Sequence, residues 1–444
     1  MLNNKFRKYP LIGCLFLCTW IWNPSVKGQE KLSLPQVIDL ALEQNYDILK
    51  MANEMEMAAN NATPGNAGLL PEINLQGGSD FQQSRTQLEF AGDIPPIDQA
   101  GAVSINNNAA LNVNYVLYQG GQRMKNYEML KTLHRSGLLA YQVQMETIIQ
   151  AVATQYLDIV RLKGQLEVRE RAIDISLDRL KRTERAYEFG GDNKVEVLSA
   201  EVDLNNDSMS LANMQVEFRN AKRALNVLLG RAVEEDFDVE DEIDFNEKLN
   251  LNALLDKAED NNRSLIMAKL SMEIADFEVS IAKSNRMPVI DLNGGYQINR
   301  SDNDAGIILT QQNNGYNVGA GLRFNLFNGR QVQIGIQNAK LALENQKFEQ
   351  EQLRLEVTRD LRNAFDIYQN NLKLLQLEER NLVTARLNFE RMESLFQLGQ
   401  ATNTQFREAQ LNLLQSKDSI QERRYQIKLN EYELLRLSAG LLPD

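Results

Sequence analysis

The sequence predicts a mainly α-helical fold with a transmembrane β part. Tandem repeats of long coiled-coil helices form an α-barrel, and four β-strands per chain contribute to a trimeric, twelve-stranded β-barrel. Three observations lead there: an internal duplication, four stretches of period-two alternation, and heptads sustained far beyond an ordinary globular helix.

The duplication is read from matching segments. Leu117-Tyr118-Gln119-Gly120 returns as Leu326-Phe327-Asn328-Gly329, and Leu70-Pro71 with Ile73, Leu75, Gly77 and Gly78 returns as Met287-Pro288 with Ile290, Leu292, Gly294 and Gly295. Val37, Ile38, Ala41, Asn45 and Ile48 correspond to Leu254, Leu255, Ala258, Asn262 and Leu265. Two units follow, residues 29–233 and 249–444, joined by an acidic linker over 234–248 that carries Glu234, Glu235, Asp236, Asp238, Glu240, Asp241 and Glu242.

Each unit opens with a helix, expected in the first over residues 34–68. Ile73, Leu75 and Gly77 then alternate with Glu72, Asn74 and Gln76, and Leu111, Val113 and Tyr115 alternate with Asn112 and Asn114. The second unit repeats this with Ile290, Leu292, Tyr296 and Ile298, then with Val318, Ala320, Leu322, Phe324 and Leu326. These are strands of about ten residues with one apolar and one polar face, the length and pattern of transmembrane barrel strands.

The period then becomes helical. Val152, Ile159, Leu166, Ile173, Leu180 and Tyr187 are spaced by seven, as are Leu361, Tyr368, Leu375, Leu382, Phe389 and Phe396. Past a glycine turn the spacing resumes as Val197, Leu204, Leu211, Phe218 and Leu225, and in the second unit as Phe406, Leu413, Ile420, Ile427 and Leu434. Such heptads mean helices packed as coiled coils. The helix from Met124 to Tyr187 with its lead-in spans ~100 Å at the α-helical rise. Two shorter helices of about 35 residues, stacked end to end, reach the same length. Each chain therefore supplies four staves.

Composition narrows the function. Lys and Arg number 48 against 60 Asp and Glu, a net charge of -12, which argues against a nucleic-acid partner. Lys5, Arg7 and Lys8 precede an apolar run from Leu11 to Trp22, followed by Val26-Lys27-Gly28; residues 1–28 read as a cleaved secretory signal, with an uncleaved anchor as the alternative. Leu11-Ile12-Gly13-Cys14 resembles a lipid-attachment box but stands too near the basic cluster. Cys14 and Cys18 fall within the signal, so no disulfide holds the mature chain.

Four strands cannot close in lipid, because open edges leave backbone groups unpaired in hydrocarbon. Eight strands from two copies enclose only side chains, whereas twelve from three leave a lumen. A trimer with twelve staves below twelve strands is the smallest open duct. The competing reading is a periplasmic coiled-coil scaffold or adhesin whose strands form a soluble sheet.

From about residue 32 to 442 the chain resembles the TolC-like outer membrane efflux proteins. The resemblance rests on the tandem repeat, on Val116-Leu117-Tyr118-Gln119-Gly120-Gly121 at the strand-to-helix junction, and on Tyr187-Glu188-Phe189-Gly190 with its echo Phe396-Gln397-Leu398-Gly399. It implies a homotrimeric channel in outer membrane lipid, its coiled-coil end meeting a periplasmic adaptor and an inner-membrane pump of RND or ABC type, with no cofactor. It also implies a constriction at Glu408 and Gln405, with Glu196 equivalent to Gln405 in the first unit, and adaptor-contact tips at Phe189, Gly190, Leu398 and Gly399. Val116 and Asn325 stand where relatives often have Pro. Phe396 lacks a hydroxyl and Ala401 replaces a basic residue, so polar links that hold some relatives closed have no evident counterpart.

Other candidates carry less. His134 is the only histidine and has no companion ligand. Asp302, Asp304 and Gly306 lack the spacing and terminal Glu of a calcium loop, and Gly319 and Gly321 are followed by Phe324 where a phosphate loop needs a third glycine. No nucleophile has an adjacent base, so the expectation is a protein without enzymatic activity and without a metal.

Overall fold

The computed structural model describes residues 31–442 except 192, 242 and 247. The expected signal segment therefore lies outside the described residues. The first unit runs β1 (Lys31–Leu32), α1 (Leu34–Gln44), α2 (Tyr46–Asn61), β2 (Glu72–Leu88), β3 (Ile97–Gln119), α3 (Gln122–Glu188) and α4 (Lys194–Leu228). After β4 (Asp238–Val239) the second repeats it with α5 (Leu251–Asn261), α6 (Arg263–Ser284), β5 (Val289–Asn303), β6 (Thr310–Arg323), α7 (Gln331–Gln397) and α8 (Asn403–Leu437). Among the described residues no helix is long and apolar enough to cross a membrane.

The long helices α3 and α7 have 67 residues each, ~100 Å at the α-helical rise. The expected single helix over residues 34–68 is instead two helices broken at Asn45. Its backbone is extended there, and its side-chain oxygen accepts from the amides of Asp47 and Ile48, capping α2. Its Nδ2 donates to the carbonyl of Leu228, the last residue of α4, at 2.8 Å. Asn262 does the same in the second unit, capping α6 through the Leu265 amide and donating to Leu437 at the end of α8, again at 2.8 Å. One asparagine thus splices two helix ends, satisfying an orphan amide of one and an orphan carbonyl of the other. The stacked staves are α2 on α4 and α6 on α8. They are shorter than expected, because α1 and α5 turn aside at the waist.

Packing fixes the stave order. α3 lies between α2/α4 on one side and α6/α8 on the other, and α7 packs on the far side of α6/α8. The antiparallel sheet runs in the order β2-β3-β5-β6. β2 stands above the α2/α4 edge and β6 above the α7 edge.

Register separates the two faces. Ile73, Val113, Gly294 and Val318 form one row, and Leu75, Leu111, Tyr296 and Tyr316 the next on the same face. Five such rows, from Ile290–Leu322 to Ala109–Ile298, cover about 27 Å along the strands, the order of the roughly 25 Å apolar band of outer-membrane barrels. The opposite face carries Asn74, Asn112, Gly295 and Asn317 in one row and Gly78, Asn108, Asn299 and Asn313 in another. The strands run 14 to 23 residues, longer than expected, because beyond the apolar band the residues are mostly polar, the Phe81–Ile105 pair apart, while the ladder continues. A bulge between Val116 and Tyr118 leaves Leu117 unpaired and re-phases the chain where alternation blurs.

The main core sits at the waist. Val37, Ala41, Ile48, Val152, Ile159, Leu225 and Leu229 are buried with Phe237 and Val239 of the acidic linker. That linker pairs β4 parallel with β1. It is tied down by Asp236 on Lys222, Glu234 on Arg223 and Asp238 on Lys163. The Tyr156 hydroxyl donates to the Leu32 carbonyl and accepts from the Glu240 amide, and burial pushes its pKa up to about 12.

Replacing Asn45 or Asn262 by Ala is expected to cost about 1–2 kcal/mol through the lost cap and to lower the thermal midpoint followed by circular dichroism in detergent. Asn45→Asp keeps the cap but sets a carboxylate against the Leu228 carbonyl, so it should recover only part of the loss. An unchanged midpoint in the alanine variants would count against the splice.

Candidate gate at the helical tips

The ends of α3 and α7 are the same motif built twice. Gly190 and Gly399 adopt φ of 75° and 70°. The amides of Gly190 and Gly191 return to the carbonyls of Tyr187 and Ala186, as those of Gly399 and Gln400 return to Phe396 and Leu395. Both are Schellman closures, which require a left-handed residue and so favour glycine. The residue before each glycine is pushed outward: Phe189 is 87% exposed and Leu398 71%.

The following helices start on side-chain caps. The Asn193 side chain accepts from the Glu196 amide, and Thr402 forms a capping box with Gln405. The Gln405 side chain is thereby turned back on the Thr402 amide at 3.0 Å. Glu196 lines a cavity of about 540 Å³ between the two tips, with Arg182, Arg185, Phe396 and Thr402. Asn403 crosses between the hairpins and donates to the Glu196 carbonyl at 3.3 Å. Glu408 is exposed and makes no hydrogen bond or ion pair. With Leu411 and Gln415 it shares the face of α8 opposite the buried residues that meet α3 and α7. The structure therefore brings Glu196, Gly399 and the two tips around one cavity and leaves Gln405 and Glu408 outside it.

Between the hairpins stands a polar network that sequence reasoning missed. Arg407 of α8 makes two parallel hydrogen bonds to Asp207 of α4, at 2.7 and 2.8 Å. Asp207 also accepts the hydroxyl of Ser176 on α3. Arg179 of α3, fully buried, donates to Asp203 of α4 at 2.7 Å. Gln410 of α8 reaches Ser176 and the carbonyl of Ala172, both at 3.2 Å. Higher up, Arg169 of α3 pairs with Asp418 of α8. Burial disfavours the Arg407 cation, but the bonds and charge of Asp207 outweigh it and its pKa rises; burial draws that of Arg179 down despite Asp203.

The seam between α7 and α8 is mainly apolar, with a polar patch where Arg423 of α8 donates to Asn371 and Glu378 of α7. Phe389, Phe406, Leu413, Ile420, Ile427 and Leu434 are buried along it, and Phe396 stacks on Phe406 at 4.9 Å. The two seams differ in degree, since the contact of α8 with α3 also buries Val168, Ala172 and Leu414 together. Apolar surface has no good partner in water, whereas parted Arg and Asp side chains recover hydration. A signal was present in the sequence, since Ser176, Arg179 and Thr183 interrupt the apolar pattern of α3 at helical spacing, but their partners lie far along the chain.

Among the described residues no cluster of His, Cys, Asp and Glu could hold a metal. What the molecule offers is a wall: amphipathic strands above staves, ending in a polar-latched tip. That defines a component of a membrane duct. The model of the outer membrane efflux protein family matches residues 37–231 and 254–440, and the chain belongs to that family. It is an outer membrane channel through which an efflux system discharges, with a helical barrel reaching into the periplasm, and the scaffold reading is set aside. It is 24% identical to the outer membrane protein TolC of Vibrio cholerae, over 93% of this chain and 91% of that one. It is 22% identical to TolC of Escherichia coli, over 92% and 83%. The fold is similar to the crystal structure of the Campylobacter jejuni CmeC outer membrane channel, with a TM-score of 0.77 and 15% identity over 99% and 94% of the two chains.

Arg407→Ala leaves Asp207 buried without its cation, a type of loss worth about 3–5 kcal/mol, and is expected to speed amide exchange over residues 403–418 and the facing part of α4. Replacing Arg407 and Asp207 together by Leu should bring exchange back toward the original rate. Equal exchange in all three proteins would remove the pair from the hold between hairpins.

Proposed function

We propose that this chain is the exit duct of a three-part export machine: a homotrimer that passively conducts cargo delivered by an inner-membrane pump of RND or ABC type through a periplasmic adaptor. The observation that carries the reading is the agreement of two orders. Strands run β2-β3-β5-β6 and staves run α2/α4, α3, α6/α8, α7, so each open strand edge stands above an open helix edge. One rotation between copies closes both, and three copies supply the twelve strands that leave a bore.

The open helix edges are apolar. Ile334, Leu341, Phe348 and Leu355 of α7 are exposed at heptad spacing, as are Val195, Val202, Met209 and Val216 of α4. In the trimer the upper half of α7 meets α2 of the next copy, where Tyr46, Leu49 and Met57 are exposed, and its lower half meets α4. Apolar stripes of this length on an isolated subunit are interface.

The tips supply the rest. Phe189 and Leu398 present apolar side chains beside Gly190 and Gly399, a surface suited to an adaptor hairpin. Three copies of Glu408 on a free face of α8, with Gln405 nearby and Glu196 at the tip cavity, form an acidic constriction that draws cations and resists anions. The gate opens when the α7/α8 hairpins swing away from α3/α4 across the seam latched by Arg407, a two-state element biased by the docked partner. The pump supplies the energy.

In planar bilayers the purified channel is expected to prefer cations, and Glu408→Ala to reduce that preference. Unchanged selectivity and conductance would take Glu408 out of the constriction. Phe348→Asp places charge in the seam between copies and should abolish heat-resistant trimers on gels, while a trimer of normal resistance would refute this placement of α7.

A further inference from the structure

The polar face of the sheet holds glycines where the backbone does not need them. Gly78, Gly295, Gly319 and Gly321 lie within strands, and none is among the glycines of positive φ. Glycine inside a strand weakens it and calls for a reason such as close approach of another group. Here the group is the side chain directly across the ladder. A Cβ at Gly78 would stand 2.9 Å from Oδ1 of Asn108, one at Gly319 2.9 Å from Oδ1 of Asn293, and one at Gly321 2.6 Å from Oδ2 of Asp291. At Gly295 it would meet Oδ1 of Asn112 and the backbone carbonyl of Leu111, both at 2.9 Å, and Oδ1 of Asn317 at 3.2 Å. Each is a register pair: Gly78 with Asn108, Asn112 with Gly295 and Gly295 with Asn317, Asn293 with Gly319, Asp291 with Gly321.

The apolar face has no such arrangement. Cβ atoms at Gly77 and Gly294 would find nothing nearer than 3.7 and 3.6 Å. Gly315, on the polar face opposite the longer Gln297, is open. The seats therefore go with short polar side chains, which lie down across the neighbouring strand instead of standing away from the wall.

We propose that these four glycines set the bore of the membrane pore: each is a seat into which an Asn or Asp folds, so that the lining stays flat and wide enough for bulky cargo. This rests on the barrel reading above, in which the polar face is the lumen. Its paired rows from Glu72 to Ser84 and across β3, β5 and β6 carry Glu72 and Asp80 but no Lys or Arg, and Asn and Gln predominate; toward the helices the same face continues through Asp291 and Gly321 to Arg323. Solutes that fit meet a surface mostly of amides with scattered carboxylates, so the seats bear on size and hydrogen bonding. A side chain at any seat would lift its facing amide or carboxylate into the lumen, three times per trimer.

The test uses the full chain in planar bilayers, with polyethylene glycols of graded size added at the strand end to find the largest that enters. In Gly78→Ala combined with Gly319→Ala, the cut-off is expected to fall by at least one polymer step. Adding Asn108→Gly and Asn293→Gly, which remove the lifted side chains, should restore it. An unchanged cut-off in assembled trimers would overturn the proposal, as would failure of the added glycines to restore it. If the alanine variant makes no channels and the added glycines rescue assembly, the seats serve folding and the proposal also falls. Failure of the unaltered chain to form channels would instead count against the duct reading.

Discussion

A strand edge in hydrocarbon has nowhere to place its amides and carbonyls, and that cost organises the molecule. Four strands per chain leave two such edges, so the sheet is a stable membrane object only as part of a ring. The helices obey the same closure. Their order beneath the sheet matches the strand order, and their outer edges carry apolar heptads that are exposed in a single chain. Assembly through the helices therefore brings the strand edges into register, and pairing of the strands brings the heptads together.

Within that ring the chemistry of each seam decides what can move. The waist is held by aromatic and aliphatic burial, reinforced by a linker whose acidic side chains are pinned by Lys163, Lys222 and Arg223 while Phe237 and Val239 go inside. The α7–α8 seam is mainly apolar, with Arg423 tied to Asn371 and Glu378 across it. The contact of α8 with α3 and α4 near the tip is ionic and hydrogen-bonded, with Arg407, Asp207, Ser176 and Gln410 mutually satisfied. A seam of that kind is specific in register yet tolerates entry of water, as the proposed gate requires.

The sequence made the architecture legible where its signals were periodic or punctuating. Seven-residue spacing from Val152 to Tyr187 gave the long helix, and the paired glycines at 190–191 gave its end. The break at Asn45 was hidden, because asparagine is tolerated within a helix and its splicing role depends on Leu228, far along the chain. Strand length was hidden because alternation fades beyond Phe81 and Ile105 while the backbone pairing continues. At the tips the exposed Phe189 and Leu398 were readable from the motif. Arg407 was not, since its meaning comes from Asp207, brought beside it by packing between the two units. Gln405, read as a lumen residue, spends its side chain on the Thr402 cap.

The asparagine splices carry a mechanical consequence. Two of the four rods in each chain are continuous from sheet to tip, while the other two are interrupted at the waist, where a single side-chain bond joins one helix end to the next. A continuous helix carries a bend or twist through its own backbone, whereas at each splice the load must pass through that bond and through the packing of both halves on the neighbouring unbroken rod. Stiffness at mid-height is therefore set by the waist core, and a cavity cut there would loosen two rods of each chain while leaving the other two intact.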